Sequence, residues 1–216
     1  MNTVLQITLN ATPEQAQRLL ALQQVFAQMC NALAPQVQRT RVWNRVALHH
    51  MAYRGLRAQF PGMGSQMACN AILAVSRMAR LVYQHPASPF SLARLGDKPL
   101  PLLKFAGNCP VYFDRHTLSL KNGQLSMYTL DGRMHFKLAL HPQDEAAFHS
   151  RRLREVVLTQ PAPAVFALSF RFSDGEGDAD AVAAAPGAPD PMLESAAPQV
   201  DGPRIIPEYV LVEETE

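Results

Sequence analysis

Hydrophobic positions along the chain follow first a two-residue and then a helical period, and they return to the two-residue period after residue 101. NTVLQITLN brings Val4, Leu5, Ile7 and Leu9 around Gln6 and predicts one strand ending at Asn10. Thr12 can then cap a helix, with Pro13 in the first turn and Gln15 placed for a capping box. Leu19, Leu22, Val25 or Phe26, and Met29 continue on one face to about Ala34, where Pro35 should end the helix. A second helix is expected from about Val42 to Phe60, with Val46, Tyr53, Leu56 and Phe60 inward and His49 and His50 close by. Pro61, Gly62 and Gly64 break it. The third, from about Ser65 to Gln84, has the cleanest period: Met67, Ala71, Ala74, Val75, Met78, Leu81 and Val82 share one side.

Beyond Leu102 the runs LLKFAG, CPVYF, HTLSL, QLSMYTL, RMHFKLAL, RRLREVVLTQ and AVFALSFRF all read as strands. Lys121-Asn122-Gly123 and Asp131-Gly132 mark two hairpin turns. Residues 173–203 are rich in Ala, Pro, Gly and Asp without an apolar period, which predicts a disordered acidic linker. RIIPEYVLVE can return as a last strand. The expected class is α+β, with a β-barrel-like meander at 1–10 and 101–172, a helical lobe at 11–100, the linker at 173–203 and a strand or tail at 204–216.

Charge sharpens this picture. From Ser173 onward there are 11 acidic residues and one base, Arg204; the first 172 residues hold 7 acids and 19 Lys+Arg, a net of +12. A body this basic suits a polyanionic partner. The acidic tail can shield that surface or simply keep the protein in solution. Cys30, Cys69 and Cys109 lack metal-type spacing, and no apolar run approaches the roughly 18 to 20 residues needed to cross a bilayer. Reduced thiols, a cytoplasmic location, no membrane association and no cofactor are the expectations.

Opposite the apolar side of the third helix lie Gln66, Asn70, Arg77, Arg80 and Gln84. Side-chain amides such as Gln66 and Asn70 can pair with adenine edges, and Arg77 and Arg80 can meet phosphates. A solvated helix face is the plainer account of the same stripe. Arg39, Arg41 and Arg45 fall near an expected helix start, where the macrodipole disfavours cations unless an anion is near. Met63 and its flanking glycines are expected to make an exposed, flexible apex between the helices, able to stack on a base or simply to turn the chain. His49-His50 has no partner at ligand spacing, so no metal site is expected. Tyr112, Phe113, Tyr128 and Phe136 are core aromatics on the plain reading and a stacking platform on the other. No acidic pair, GxSxG frame or phosphate loop supports catalysis.

LHHMAYRGLRAQFPGMGSQMACNAI, followed some forty residues later by VYFDRHTLSLKNGQLSMYTLDGRMHFKL, resembles the N-terminal half of TnpB, the transposon-encoded RNA-guided nuclease related to type V CRISPR effectors. The similarity spans roughly Leu5 to Phe172. It implies an oligonucleotide-binding-like wedge barrel with a three-helix recognition lobe inserted after the first strand. It further implies a guide RNA on the barrel and target DNA beside the lobe. The family's motif-reading glutamine looks like Gln66, with Met63 just before it and His50 and Tyr53 in the same groove; Asn70, one turn from Gln66, joins the motif-reading set on its amide chemistry. Arg39, Arg41, Arg45, Arg54, Arg57, Arg77, Arg80, Arg115, Lys121, Arg133 and Lys137 are the expected backbone contacts. The RuvC-like catalytic acids and zinc-binding cysteines of the family have no counterpart here. The expectation is therefore a nuclease-deficient guide-RNA and DNA-motif module. Half of a split nuclease completed by another chain, an RNA-independent DNA-binding regulator and a transposon remnant are the alternatives.

Overall fold

The computed structural model describes residues 2–121, 123–138, 140–173 and 205–214. It is a mixed α+β fold of five helices and antiparallel sheets, none of which closes into a barrel among the described residues. The expected linker at 173–203 lies outside the described residues except for Ser173, which ends a strand.

β1 (Asn2–Leu9) leads into α1 (Pro13–Thr40). Thr12 and Gln15 form the reciprocal capping box read from the sequence. Pro35 does not stop this helix. The ring sits on the exposed side, and Leu33, Ala34 and Val37 carry the buried face past it. Continued burial on that face offsets the one backbone hydrogen bond that proline removes. α1 ends instead at Arg41, whose left-handed backbone lets its N–H donate to the Val37 carbonyl.

α2 (Arg45–Gln59) is capped by the Asn44 side chain, which accepts the N–H groups of Val46 and Ala47. Its buried seam is Leu48, Ala52 and Leu56. Val46, expected inward, is 53% exposed. α3 (Ser65–Gln84) has the bounds read from its periodicity. It buries twelve residues, more than one amphipathic face provides, because it packs against α1 and α2 on one side and a sheet on another. A short helix, α4 (Leu92–Leu95), closes the helical section.

β2 (Leu102–Phe105), β3 (Val111–Phe113), β4 (Leu118–Lys121), β5 (Gln124–Thr129) and β6 (Gly132–Lys137) follow. α5 (Pro142–Ser150) comes next, with Asp144 and Glu145 in its first turn, where the dipole favours acids. β7 (Arg152–Ala162), β8 (Val165–Ser173) and β9 (Val210–Glu213) complete the chain.

The strands form three sheets: β1-β8-β7-β3, β2-β9 and β4-β5-β6. In the first, Leu5, Ile7 and Leu9 pair with Phe170, Leu168 and Phe166, so the period-two pattern of both strands meets in register. Phe148 of α5 packs edge-on against Phe170 and Phe172, covering this apolar face. α3 covers the β3 end of the opposite face, where Tyr112, Glu155 and Arg171 lie. The inserted helices thereby share one core with the strands that flank them in sequence.

Candidate nucleic-acid interface

The sheet β4-β5-β6 separates its residues cleanly. Leu118, Leu125, Met127, Met134 and Phe136 are buried. The alternate positions turn outward, and their register brings Lys121, Gln124 and Lys137 into one row across the three strands. The next row is Ser119, Ser126 and His135, and Tyr128 stands opposite Arg133. No acidic residue occurs in any of these strands. Lys121, Lys137, His135 and Arg133 are all exposed. Arg133 lies across the surface, donating to the Ser126 hydroxyl at 2.8 Å, the Ser126 carbonyl at 3.0 Å and the His116 carbonyl at 3.4 Å.

The turn between α2 and α3 is fastened to this sheet. The Tyr128 hydroxyl accepts the Gly64 N–H at 3.0 Å and donates to the Gly62 carbonyl at 3.1 Å. The same ring comes within 3.5 Å of where a Cβ on Gly64 would stand. Arg57 donates to the Met63 carbonyl from below. The apex expected to be free is therefore anchored on both sides.

That anchoring overturns the expectation for Met63, whose side chain is 1% exposed and packs in the core, out of reach of a base. Asn70 is also buried and donates to the Tyr112 carbonyl at 2.9 Å. Its amide nitrogen supports β3, and its burial withdraws it from a base edge. Arg77 is ion-paired with Glu155 and lies over the Tyr112 ring at 5.4 Å. Arg171 approaches the same carboxylate at 3.9 Å. These three charged groups neutralise part of one another inside the fold, so Arg77 is no phosphate contact. Burial pushes the Tyr112 phenol up and the Arg171 guanidinium down from their usual values. Arg80 is half-buried and has a partner within the chain.

Gln66 stands half-buried at the head of α3. On α2, His50 is exposed, and Tyr53 stacks on His49 with centroids 4.6 Å apart. Arg54 is exposed, while Arg45 and Arg57 are half-buried. Arg115, in the β3-β4 turn, is exposed. Arg39 and Arg41 do not lie at a helix start. Arg39 is in the last turn of α1, where the dipole favours a cation, and Arg41 is its C-cap, donating to the Lys98 carbonyl at 3.1 Å. These two placements require no anion, whereas Arg45 is the first residue of α2 and does sit at a helix start, as expected.

Two features escaped the sequence reading. Residues 15–96 contain nine arginines and no acidic residue, a run hidden by counting charge over the whole body. His135 joins the outer row of the sheet, a position fixed only by strand register. Among the described residues, no three His, Cys, Asp or Glu side chains gather as a metal site, and no helix is long and apolar enough to cross a membrane. No protein-family model matches the chain, and no curated protein matches it.

Proposed function

We propose that this chain is a nucleic-acid-binding module of an RNA-guided complex of the TnpB or type V CRISPR kind. In this reading its sheets serve as an oligonucleotide-binding-like wedge for a guide RNA, and the helical lobe lies along target DNA without cutting it. The observation that carries the reading is the outer face of β4-β5-β6, where Lys121, Arg133, His135 and Lys137 are exposed and the three strands hold no carboxylate. A solvated sheet face normally mixes both signs of charge. A uniformly basic face beside a helical lobe whose residues 15–96 carry nine arginines and no acid suits a phosphate backbone, since each cation that meets a phosphate releases a counterion.

Of the motif-reading residues, Gln66, His50 and Tyr53 remain accessible to a duplex, and Met63 and Asn70 are withdrawn from that role. Sequence selection would come from base pairing by the guide, with the protein reading backbone and a short motif. Any cleavage would come from a separate subunit.

The test is the nucleic acid that the protein carries. Purification from cells transcribing the surrounding locus at low salt should enrich a small set of structured RNAs. Recovery of only bulk transfer and ribosomal RNA in proportion to abundance would contradict the reading. DNA footprints obtained with RNA-free protein would instead favour the RNA-independent regulator.

A further inference from the structure

Cys30 of α1 and Cys109 of the β2-β3 turn are brought together by contacts that hold both of their backbones. Gln23 donates from its side-chain amide to the Asn108 and Cys109 carbonyls, each at 3.3 Å. Asn31 accepts the Phe105 N–H at 2.7 Å and donates to the Phe105 carbonyl at 2.9 Å. The Cys109 N–H closes the turn on the Ala106 carbonyl at 2.9 Å. Cys30 precedes Asn31 and stands two helical turns beyond Gln23, on the same side of α1 as that amide. The turn is therefore clasped to α1 on either side of Cys30.

Both thiols are buried and lie within hydrogen-bonding reach of each other. They line one void of about 10 Å³, roughly the room one water needs. No charged side chain and no histidine lines that void, so neither sulfur has a base or an ion-pair partner there. A buried cysteine can serve simply as a small apolar residue. Two of them in mutual contact, on elements far apart in sequence and each held from its backbone, meet the further requirement of a disulfide.

We infer that Cys30 and Cys109 are a modification site for hydrogen peroxide, which joins them in a reversible disulfide between α1 and the β2-β3 turn. One thiolate attacks a peroxide oxygen, the O–O bond breaks, and the sulfur becomes a sulfenic acid as hydroxide leaves. The second thiolate attacks that sulfur; the S–S bond forms, the S–O bond breaks and a second hydroxide leaves. With the two thiol protons, the products are one disulfide and two waters, the sulfurs oxidised and the peroxide oxygens reduced. The small void admits an oxidant little larger than water and turns away bulky disulfides while the fold stays closed. The bond closes residues 30–109 into a ring that contains α2, α3, α4 and β2. A ring of that length restricts the unfolded chain, so the oxidised protein is the more stable form. This inference is independent of nucleic-acid binding.

The full chain, reduced and then freed of reductant, carries the experiment. It is incubated with hydrogen peroxide in the absence of denaturant, quenched with acid, unfolded for thiol counting and digested for non-reducing mass spectrometry. Free thiols should fall from three to one, with a Cys30–Cys109 linked peptide lighter than its parts by two hydrogens. Dithiothreitol should restore all three. Oxidised glutathione, the bulky comparison, should leave Cys30 and Cys109 free. The urea midpoint should rise on oxidation in the parent and in Cys69→Ser, and should not move in Cys109→Ala, which keeps the backbone contacts of the turn. Three thiols persisting, sulfinic acid at either cysteine without the link, a link to Cys69, rapid linking by oxidised glutathione, or a link that forms only as native circular dichroism is lost would each overturn the inference.

Discussion

The Tyr128 hydroxyl and the Gly64 backbone N–H, on elements far apart in sequence, meet at 3.0 Å and join the helical hairpin to the β4-β5-β6 sheet. With the bond to the Gly62 carbonyl, one side chain fixes the turn that leads into α3 and positions Gln66. Tyr128→Phe keeps the ring and removes both hydrogen bonds. It should lower stability by about 1–2 kcal/mol, read as a lower urea midpoint with an unchanged slope. The turn should also become more open to limited proteolysis.

Asn70 tests the boundary between recognition and support. Removing its amide by Asn70→Ala leaves the buried Tyr112 carbonyl without this donor and opens space beside Met67. A loss of about 1–3 kcal/mol is expected in equilibrium unfolding. Nucleic-acid affinity, measured where the variant is fully folded, should stay within twofold of the parent. A selective loss of DNA affinity with native stability would restore the base-reading role.

Glu155 is the pivot of the buried charges. Two guanidinium groups, Arg77 and Arg171, lean on its carboxylate, whose side chain is 6% exposed. Glu155→Gln removes the negative charge and keeps the volume. The expected cost is on the order of 3–5 kcal/mol, visible as a large drop in the denaturation midpoint. The double change Arg77→Met with Glu155→Gln should recover part of it.

How much of this was legible in the sequence depends on where the determining contact lies. The capping box, α3 and the hairpin turns depend on neighbours within a few residues, so their spacing identified them. The extent of α1 did not, because Pro35 is tolerated only where Val37 finds a buried surface supplied by distant elements. The same limit governs the site. Asn70, Arg77 and Gln66 share one polar stripe in sequence, yet β3 and β7 cover the first two and leave Gln66 partly open. A polar stripe on a helix signals water or a buried polar partner equally well. Lys121 and Lys137 could be nominated as basic residues, but their alignment across Gln124 follows from register, which two hairpin turns set together.

Thiol chemistry offers a check on packing. Cys30 and Cys109 are buried, and burial with the neighbouring Cys109 thiol pushes the Cys30 thiol well above its usual range. Cys69 is partly exposed, and burial raises it as well. A raised thiol supplies less thiolate at any pH below its titration, so alkylation at pH 7.5 should be slow. Ellman's reagent should find no more than one thiol in the native protein and three after denaturation, with the native rate climbing as pH rises.

The most direct measurement is the salt dependence of binding to a single-stranded RNA after Lys121 and Lys137 are both changed to alanine. Two lost phosphate contacts should reduce the slope of log affinity against log salt by about 1.4, at roughly 0.7 per contact. Lys104→Ala, which alters a cation on β2 outside this face, should leave the slope unchanged. An unaltered slope in the Lys121, Lys137 double variant, or an equal reduction from Lys104→Ala, would contradict the assignment of β4-β5-β6 as the phosphate-binding face.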